Sequence, residues 1–129
     1  MQLIVAVNCT SKKTAKAGRG LSARDLRRGE VAQLAQEWRS RVQNSDVRAV
    51  PARELYSGRA FALASQTADS VGADLYVLSA GMGFVRQDTP VRPYNLSVAP
   101  NTDDCILSRS SAGRFTASEW WAALHDLPR

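Results

Sequence analysis

A polar stretch with chemically useful side chains, NCTSKK at 8–13, follows the first apolar run of the chain. Ser11 could donate a hydrogen bond to an anion, and Lys12 or Lys13 would supply positive charge. Cys9 precedes these lysines, and thiolates form more readily beside cations, which makes it a candidate nucleophile. The structural alternative is an inert cysteine buried at the end of a strand.

A second candidate loop, SAGMG at 79–83, follows another apolar run. Gly81 and Gly83 allow positive φ angles and a close approach of the backbone to a ligand. Ser79 could contact that ligand or merely close the strand. A tight turn required by packing would also explain both glycines.

Three further residues complete the list of candidates. Pro93 favours an extended backbone that presents Tyr94, either for stacking on a base or for packing in the core. Asp88 is the nearest carboxylate in the loop and the candidate general base. The single histidine, His125, lies far along the chain in a predicted last helix, which excludes Ser–His–Asp and Cys–His schemes that depend on it.

The elements that position these loops follow from apolar patterning. The pattern predicts strands at 3–7, 47–52 and 74–80 and a shorter one at 105–108. Three helices are predicted. The first is capped by Ser22 and carries an apolar stripe from Val31 to Val42, the second spans 59–71 before Gly72, and the last begins at a capping box of Thr116 and Glu119.

Alternation of strands and helices predicts an α/β fold with a mainly parallel sheet covered by helices. We expect a single, three-layer-like domain over residues 1–129, either a whole protein or the first domain of a longer one. Ligands bind such sheets beyond the carboxyl ends of the strands. If strands 3–7 and 74–80 are neighbours, Cys9–Lys13 and Ser79–Gly83 meet there.

Composition narrows the function classes. Seventeen lysines and arginines against twelve carboxylates give a net charge of +5, which favours a nucleic acid or nucleotide partner. No apolar run is long enough for a membrane helix, so we expect no membrane partner. The chain has two cysteines and no CxxC pair, so we expect neither a zinc site nor a disulfide. Few cysteines without disulfides are typical of a reducing compartment, so we expect the protein in the cytoplasm. The sequence has neither the P-loop pattern GxxxxGK[ST] nor the dinucleotide-binding pattern GxGxxG, and we expect no cofactor.

Four segments, taken in order, resemble a family of small uncharacterised bacterial and phage domains that are similar to YaaA-type peroxide-stress proteins. The segments are CTSKK at 9–13, PARELYSGRAF at 51–61, LYVLSAGMGFV at 75–85 and VRPYNLSV at 91–98. A similar arrangement occurs in domains attached to tRNA base-exchange enzymes. The motif positions fall on Cys9, Lys12, Leu55, Tyr56, Ser79, Gly83, Pro93 and Tyr94.

This resemblance implies an α/β fold with the motifs on one side of the sheet and a function linked to nucleic acid or stress response. Gly81 and Met82 replace a usually bulkier pair of the family pattern, and Asn95 stands where an acidic residue often follows the tyrosine.

Three hypotheses about function result. The first is a domain that binds nucleotide or nucleic acid, with Lys12 and Lys13 on a phosphate and Tyr56 or Tyr94 on a base.

The second hypothesis is an enzyme acting on a nucleoside or modified base, with Cys9 or Asp88 in the chemistry. The third is a partner-binding module that uses Trp120 and Trp121, although at least one of these indoles is expected to close the core.

Overall fold

A computed structural model of the chain describes residues 2–9, 13–111 and 113–127. Short 3-10 turns at Ala23–Asp25 and Ile106–Arg109 accompany the regular elements. The regular elements, in chain order, are β1 (Ile4–Asn8), α1 (Val31–Asn44), β2 (Val50–Pro51), α2 (Ala52–Leu55), α3 (Arg59–Val71), β3 (Asp74–Ser79), β4 (Gly83–Arg86), β5 (Pro90–Val91) and α4 (Ala117–His125).

The chain divides into two compact units. The first comprises residues 1–16 and 48–93, and the second comprises residues 17–47 and 94–129. No helix within the described part of the chain is long and apolar enough to cross a membrane.

The first unit contains a three-stranded sheet in the order β1-β3-β4. β1 and β3 are parallel, with Asn8 opposite Leu78, whereas β3 and β4 are antiparallel, with Ser79 opposite Gly83. A separate two-stranded antiparallel ribbon pairs β2 with β5. Helix α3 packs against β1 and β3. Leu75 and Val77 of β3 are fully buried.

The prediction of a mainly parallel sheet covered by helices in three layers is therefore wrong. Among the strands of the described residues only the β1–β3 pair is parallel, because the chain after β3 reverses through the three residues 80–82 and returns as a hairpin strand. Gly83 makes this reversal possible with φ of 86°. The stretch predicted as strand 47–52 contributes only Val50 and Pro51, and they pair with β5 rather than with the main sheet.

The second unit is mainly helical and is built around large buried side chains. Helix α1 packs against α4, and the fully buried residues include Trp38, Trp120 and Tyr94. The ring of Trp38 meets that of Tyr94 edge-on at 6.0 Å between centroids. Trp120 is fully buried and Trp121 half-buried, so the expectation that at least one of these indoles closes the core is confirmed.

Arg24 joins two distant parts of the second unit. Its guanidinium donates to both carboxylate oxygens of Asp104, at 3.0 and 2.8 Å. This hydrogen bonding and the negative charge of Asp104 raise the pKa of Arg24 above its ordinary value.

Predictions of helix ends that rest on short-range sequence signals are confirmed for α3 and α4. Helix α3 has the predicted bounds and ends at Gly72, which adopts the left-handed conformation with φ of 66°. The capping box of Thr116 and Glu119 opens α4 as predicted. Ser22, however, precedes a 3-10 turn and does not cap α1, which begins at Val31 after a capping box of Glu30 and Gln33.

Two predictions for the later chain are wrong. The strand predicted at 105–108 is a 3-10 turn: the Ile106 N–H donates to the carbonyl of Ser97 beside the single bridge between Ser97 and Cys105, and the Ser108 N–H then donates locally to the carbonyl of Cys105. The stretch predicted as the loop that carries Gly81, Gly83 and Asp88 contains two strands, β4 and β5.

Candidate functional site

The carboxyl ends of β1 and β3 lie side by side, as the sequence predicted. The backbone N–H of Cys9 donates to the carbonyl of Leu78 at 2.8 Å, which extends the parallel ladder one residue past β1. Cys9 is a half-buried free thiol, and Ser79 follows Leu78 directly. The two segments that were separated by some seventy positions in sequence therefore leave the sheet together.

Lys13 and Ser79 are connected through Tyr56. Lys13 forms an isolated antiparallel bridge with Tyr56, and its Nζ lies 5.9 Å from the centroid of the Tyr56 ring. This is within the range of a cation–π interaction. The phenol of Tyr56 donates to Oγ of Ser79 at 3.1 Å. Neither Ser79 nor the ring of Tyr56 has appreciable exposure, at 0% and 2%.

Ser79 is also the anchor of the glycine turn. Its Oγ accepts a second hydrogen bond, from the backbone N–H of Met82 at 3.0 Å. Gly81 and Gly83 flank Met82 and are both buried. The backbone of the turn is thus hydrogen-bonded to the same Ser79 hydroxyl that accepts from Tyr56. The ring of Tyr56 in turn contacts Lys13.

The lysine segment is fixed at its far end as well. The backbone N–H of Thr14 donates to the carbonyl of Leu55 at 2.8 Å, and its hydroxyl donates to the carbonyl of Glu54 at 2.6 Å. These bonds attach the residue after Lys13 to the end of α2, so the segment that begins at Cys9 is held at both ends. Ser11 and Lys12 lie outside the described residues.

The structure does not bring Asp88 to this end of the sheet. Asp88 is exposed and pairs with Nε of Arg86 at 3.2 Å, and Arg86 also pairs with Asp74 at 3.1 Å. Asp74 and Ser79 are the two ends of the six-residue strand β3, and the five steps between them at about 3.3 Å each span roughly 17 Å. The general-base role predicted for Asp88 near Cys9 has no support from this placement.

Neither tyrosine predicted to stack on a base exposes its ring. Tyr94 is fully buried against Trp38 in the second unit, and Tyr56 is held between Lys13 and Phe61, whose ring centroid lies 6.2 Å away. Base stacking by Tyr94 stays a prediction.

The accessible aromatic side chains in the first unit are different ones, the half-buried Tyr76 and the exposed Phe84, which the sequence analysis passed over. The sequence signal was alternation along the strands. Tyr76 in DLYVLS and Phe84 in GFVR point to the face of the sheet opposite to the one that their buried neighbours face. Among the described residues, no group of three histidine, cysteine, aspartate or glutamate side chains is placed to hold a metal ion.

A model of a family of unknown function, DUF6884, matches residues 39–105, just over half of the chain. The chain belongs to this family. The matched range of DUF6884 contains Tyr56, Ser79 and the glycine turn, while Cys9 and Lys13 precede it. Membership of an uncharacterised family is thereby confirmed, and the match gives no link to YaaA-type proteins. No curated protein and no solved structure matches the chain.

Proposed function

We propose that this DUF6884 chain binds a phosphate-containing ligand, a nucleotide or nucleic acid, at the carboxyl ends of β1 and β3. The observation that carries the proposal is the connected set Lys13–Tyr56–Ser79. Through it a cationic segment is joined to a glycine turn at the end of a sheet, which is where α/β sheets bind ligands. The proposed contacts to phosphate are Lys13, Ser11 and Lys12, with the backbone of Gly81 and Gly83 approaching the ligand.

The distribution of charge supports an anionic ligand for the first unit. Its sequence has eight lysines and arginines against four carboxylates, whereas the second unit has nine against eight. Four of the five net positive charges therefore belong to the unit that contains the proposed site. All three lysines of the chain lie within 12–16. A ligand with several phosphates gains most from such a concentration of charge.

The likeness to YaaA-type proteins supports the nucleic-acid form of this proposal and a role in stress response. An enzymatic role on a nucleoside would rest on Cys9 alone, because Asp88 lies at the other end of β3. A partner-binding role for the tryptophan pair would rest on the half-buried Trp121 alone, since Trp120 is fully buried. Binding is accordingly the function that the arrangement favours.

The test is the binding of a fluorescein-labelled single-stranded oligonucleotide of about twelve nucleotides, followed by fluorescence anisotropy over a range of salt concentrations. Lys13→Ala should weaken binding by roughly three- to tenfold at low salt and reduce the slope of log K against log salt by about 0.7. The Lys12→Ala/Lys13→Ala double variant should lose more.

Arg53→Ala is the matched control. It removes one positive charge from an exposed position of the same unit, and the backbone N–H of Arg53 bonds to the carbonyl of Gln87, beyond the Arg86 end of β4. Its effect should be smaller than that of Lys13→Ala. Equal affinities and salt slopes for the wild type and the lysine double variant would refute the proposed site.

A further inference from the structure

One face of the three-stranded sheet is uncovered. Helix α3 packs on the face that carries Leu75 and Val77, while the alternate residues point the other way. On that open face Ile4 is 56% exposed, Phe84 49% and Leu78 36%. A sheet that faces water normally alternates to polar side chains, so an apolar open face indicates a surface with a binding role.

Two aromatic rings on neighbouring strands dominate this open face. Tyr76 and Phe84 are stacked, with 4.6 Å between their ring centroids and an interplanar angle of 9°. Phe84 lies opposite Leu78 in the β3–β4 register, and Tyr76 lies opposite Arg86. Exposed aromatic rings on a sheet are the means by which proteins stack the bases of single-stranded nucleic acid, whose every base has a flat apolar face.

The net positive charge of the first unit, with eight lysines and arginines against four carboxylates, suits the phosphates of such a strand. Leu78 lies between Phe84 on β4 and Asn8 on β1, and the lysine-bearing segment begins directly after Asn8. At the opposite end, Arg86 is neutralised by Asp74 and Asp88. A strand whose base stacks on Phe84 would therefore have its phosphates toward the lysine end.

The large apolar side chains on the open face are Ile4, Tyr76, Leu78 and Phe84. A second copy of the chain is the alternative occupant of this face, and the experiment below distinguishes it from a nucleic acid. A stack of one or two bases needs no more area than the aromatic pair provides.

We infer that the open face of the β1-β3-β4 sheet is a base-stacking platform for single-stranded nucleic acid, with Phe84 and Tyr76 as its stacking residues. The platform extends the proposed function from the phosphates at the strand ends to the bases, and it involves different side chains. It assigns a role to exposed residues that the Lys13–Tyr56–Ser79 set does not use.

The experiment compares two labelled oligonucleotides of the same length, one oligothymidylate and one abasic, on the wild type and three variants. Phe84→Ala and Phe84→Leu should each lower affinity for oligothymidylate by roughly tenfold, because leucine keeps an apolar surface but has no ring. Leu63→Ala, at a 54% exposed position of α3, is the control and should bind as the wild type does. Affinity for the abasic strand should be low and the same in all four proteins.

Several results would overturn the platform. Phe84 variants that bind oligothymidylate as tightly as the wild type does would refute it. Equal affinity of the wild type for oligothymidylate and for the abasic strand would also refute it. A wild-type dimer that Phe84→Ala dissociates, without change in oligonucleotide affinity, would assign the face to a second copy. If Lys13→Ala weakens binding while Phe84→Ala does not, the platform fails and the phosphate site stands. Matching thermal melting curves confirm that each variant is folded.

Discussion

Replacing Ser79 by alanine should destabilise the first unit more than removing the hydroxyl of its partner Tyr56. Ser79 Oγ is the shared acceptor of two donors, the Tyr56 phenol at 3.1 Å and the Met82 backbone N–H at 3.0 Å. The Tyr56 contact is buried and the Met82 contact is partly buried, around a serine with no exposure. Ser79→Ala takes this acceptor from two donors at once, whereas Tyr56→Phe takes one donor and leaves the Met82 bond intact.

The expected magnitudes follow from the cost of buried hydrogen-bonding groups. A typical hydrogen bond contributes about 1 kcal/mol, and a buried donor left without its acceptor costs about 1–3 kcal/mol. Tyr56→Phe should therefore lower the free energy of unfolding by about 1 kcal/mol, and Ser79→Ala by about 2–4 kcal/mol. In the Ser79→Ala background, Tyr56→Phe should recover part of the lost stability, because it removes a buried donor that has already lost this acceptor.

The assay is urea unfolding followed by two probes. All three tryptophans belong to the second unit, so their fluorescence reports on that unit, while far-ultraviolet circular dichroism reports on both. Coincident transitions would show cooperative unfolding and justify a single free energy. Ser70→Ala is the control, since the Ser70 hydroxyl only donates to the Gln66 carbonyl on exposed α3, and it should change stability by less than about 0.5 kcal/mol.

Two outcomes would refute this reasoning. One is a Ser79→Ala variant whose free energy of unfolding lies within about 0.5 kcal/mol of the wild type. The other is a Tyr56→Phe cost that is the same in the presence and absence of the Ser79 hydroxyl, because two groups that share a hydrogen bond must be coupled.

Two more predictions concern the second unit. Trp120→Ala should lower the free energy of unfolding by about 3–5 kcal/mol because the indole is fully buried, while Trp121→Ala at the half-buried neighbouring position should cost clearly less; equal costs in thermal or urea unfolding would contradict the assigned burial. Thr116→Ala should cost about 1 kcal/mol, because the Thr116 side chain accepts from the Glu119 N–H at 3.1 Å to cap α4. Ser118→Ala, at the second residue of the same helix, is the control for Thr116→Ala. A loss of unfolding free energy at Ser118 as large as the loss at Thr116 would argue against capping by Thr116.

The sequence by itself determined the elements whose cause is local. A continuous apolar run rich in β-branched residues predicted β1, the spacing of apolar residues and the terminal Gly72 predicted α3 with its observed bounds, and Thr116 with Glu119 predicted the start of α4. The sequence also placed Cys9 and Ser79 at the ends of two apolar strands, and they meet on the condition that these strands are neighbours, which the structure fulfils.

Tertiary structure alone decided which strands pair, which face is covered and which rings are buried. The return of the chain after Ser79 as β4 depends on pairing with β3, which no local pattern of four residues specifies. Alternation shows that Tyr76 and Leu75 point to opposite faces of β3, but only the packing of α3 decides that Leu75 is buried and Tyr76 is not. The two candidate loops could therefore be identified from sequence, whereas the aromatic pair on the open face required the structure, because burial is a property of long-range contacts.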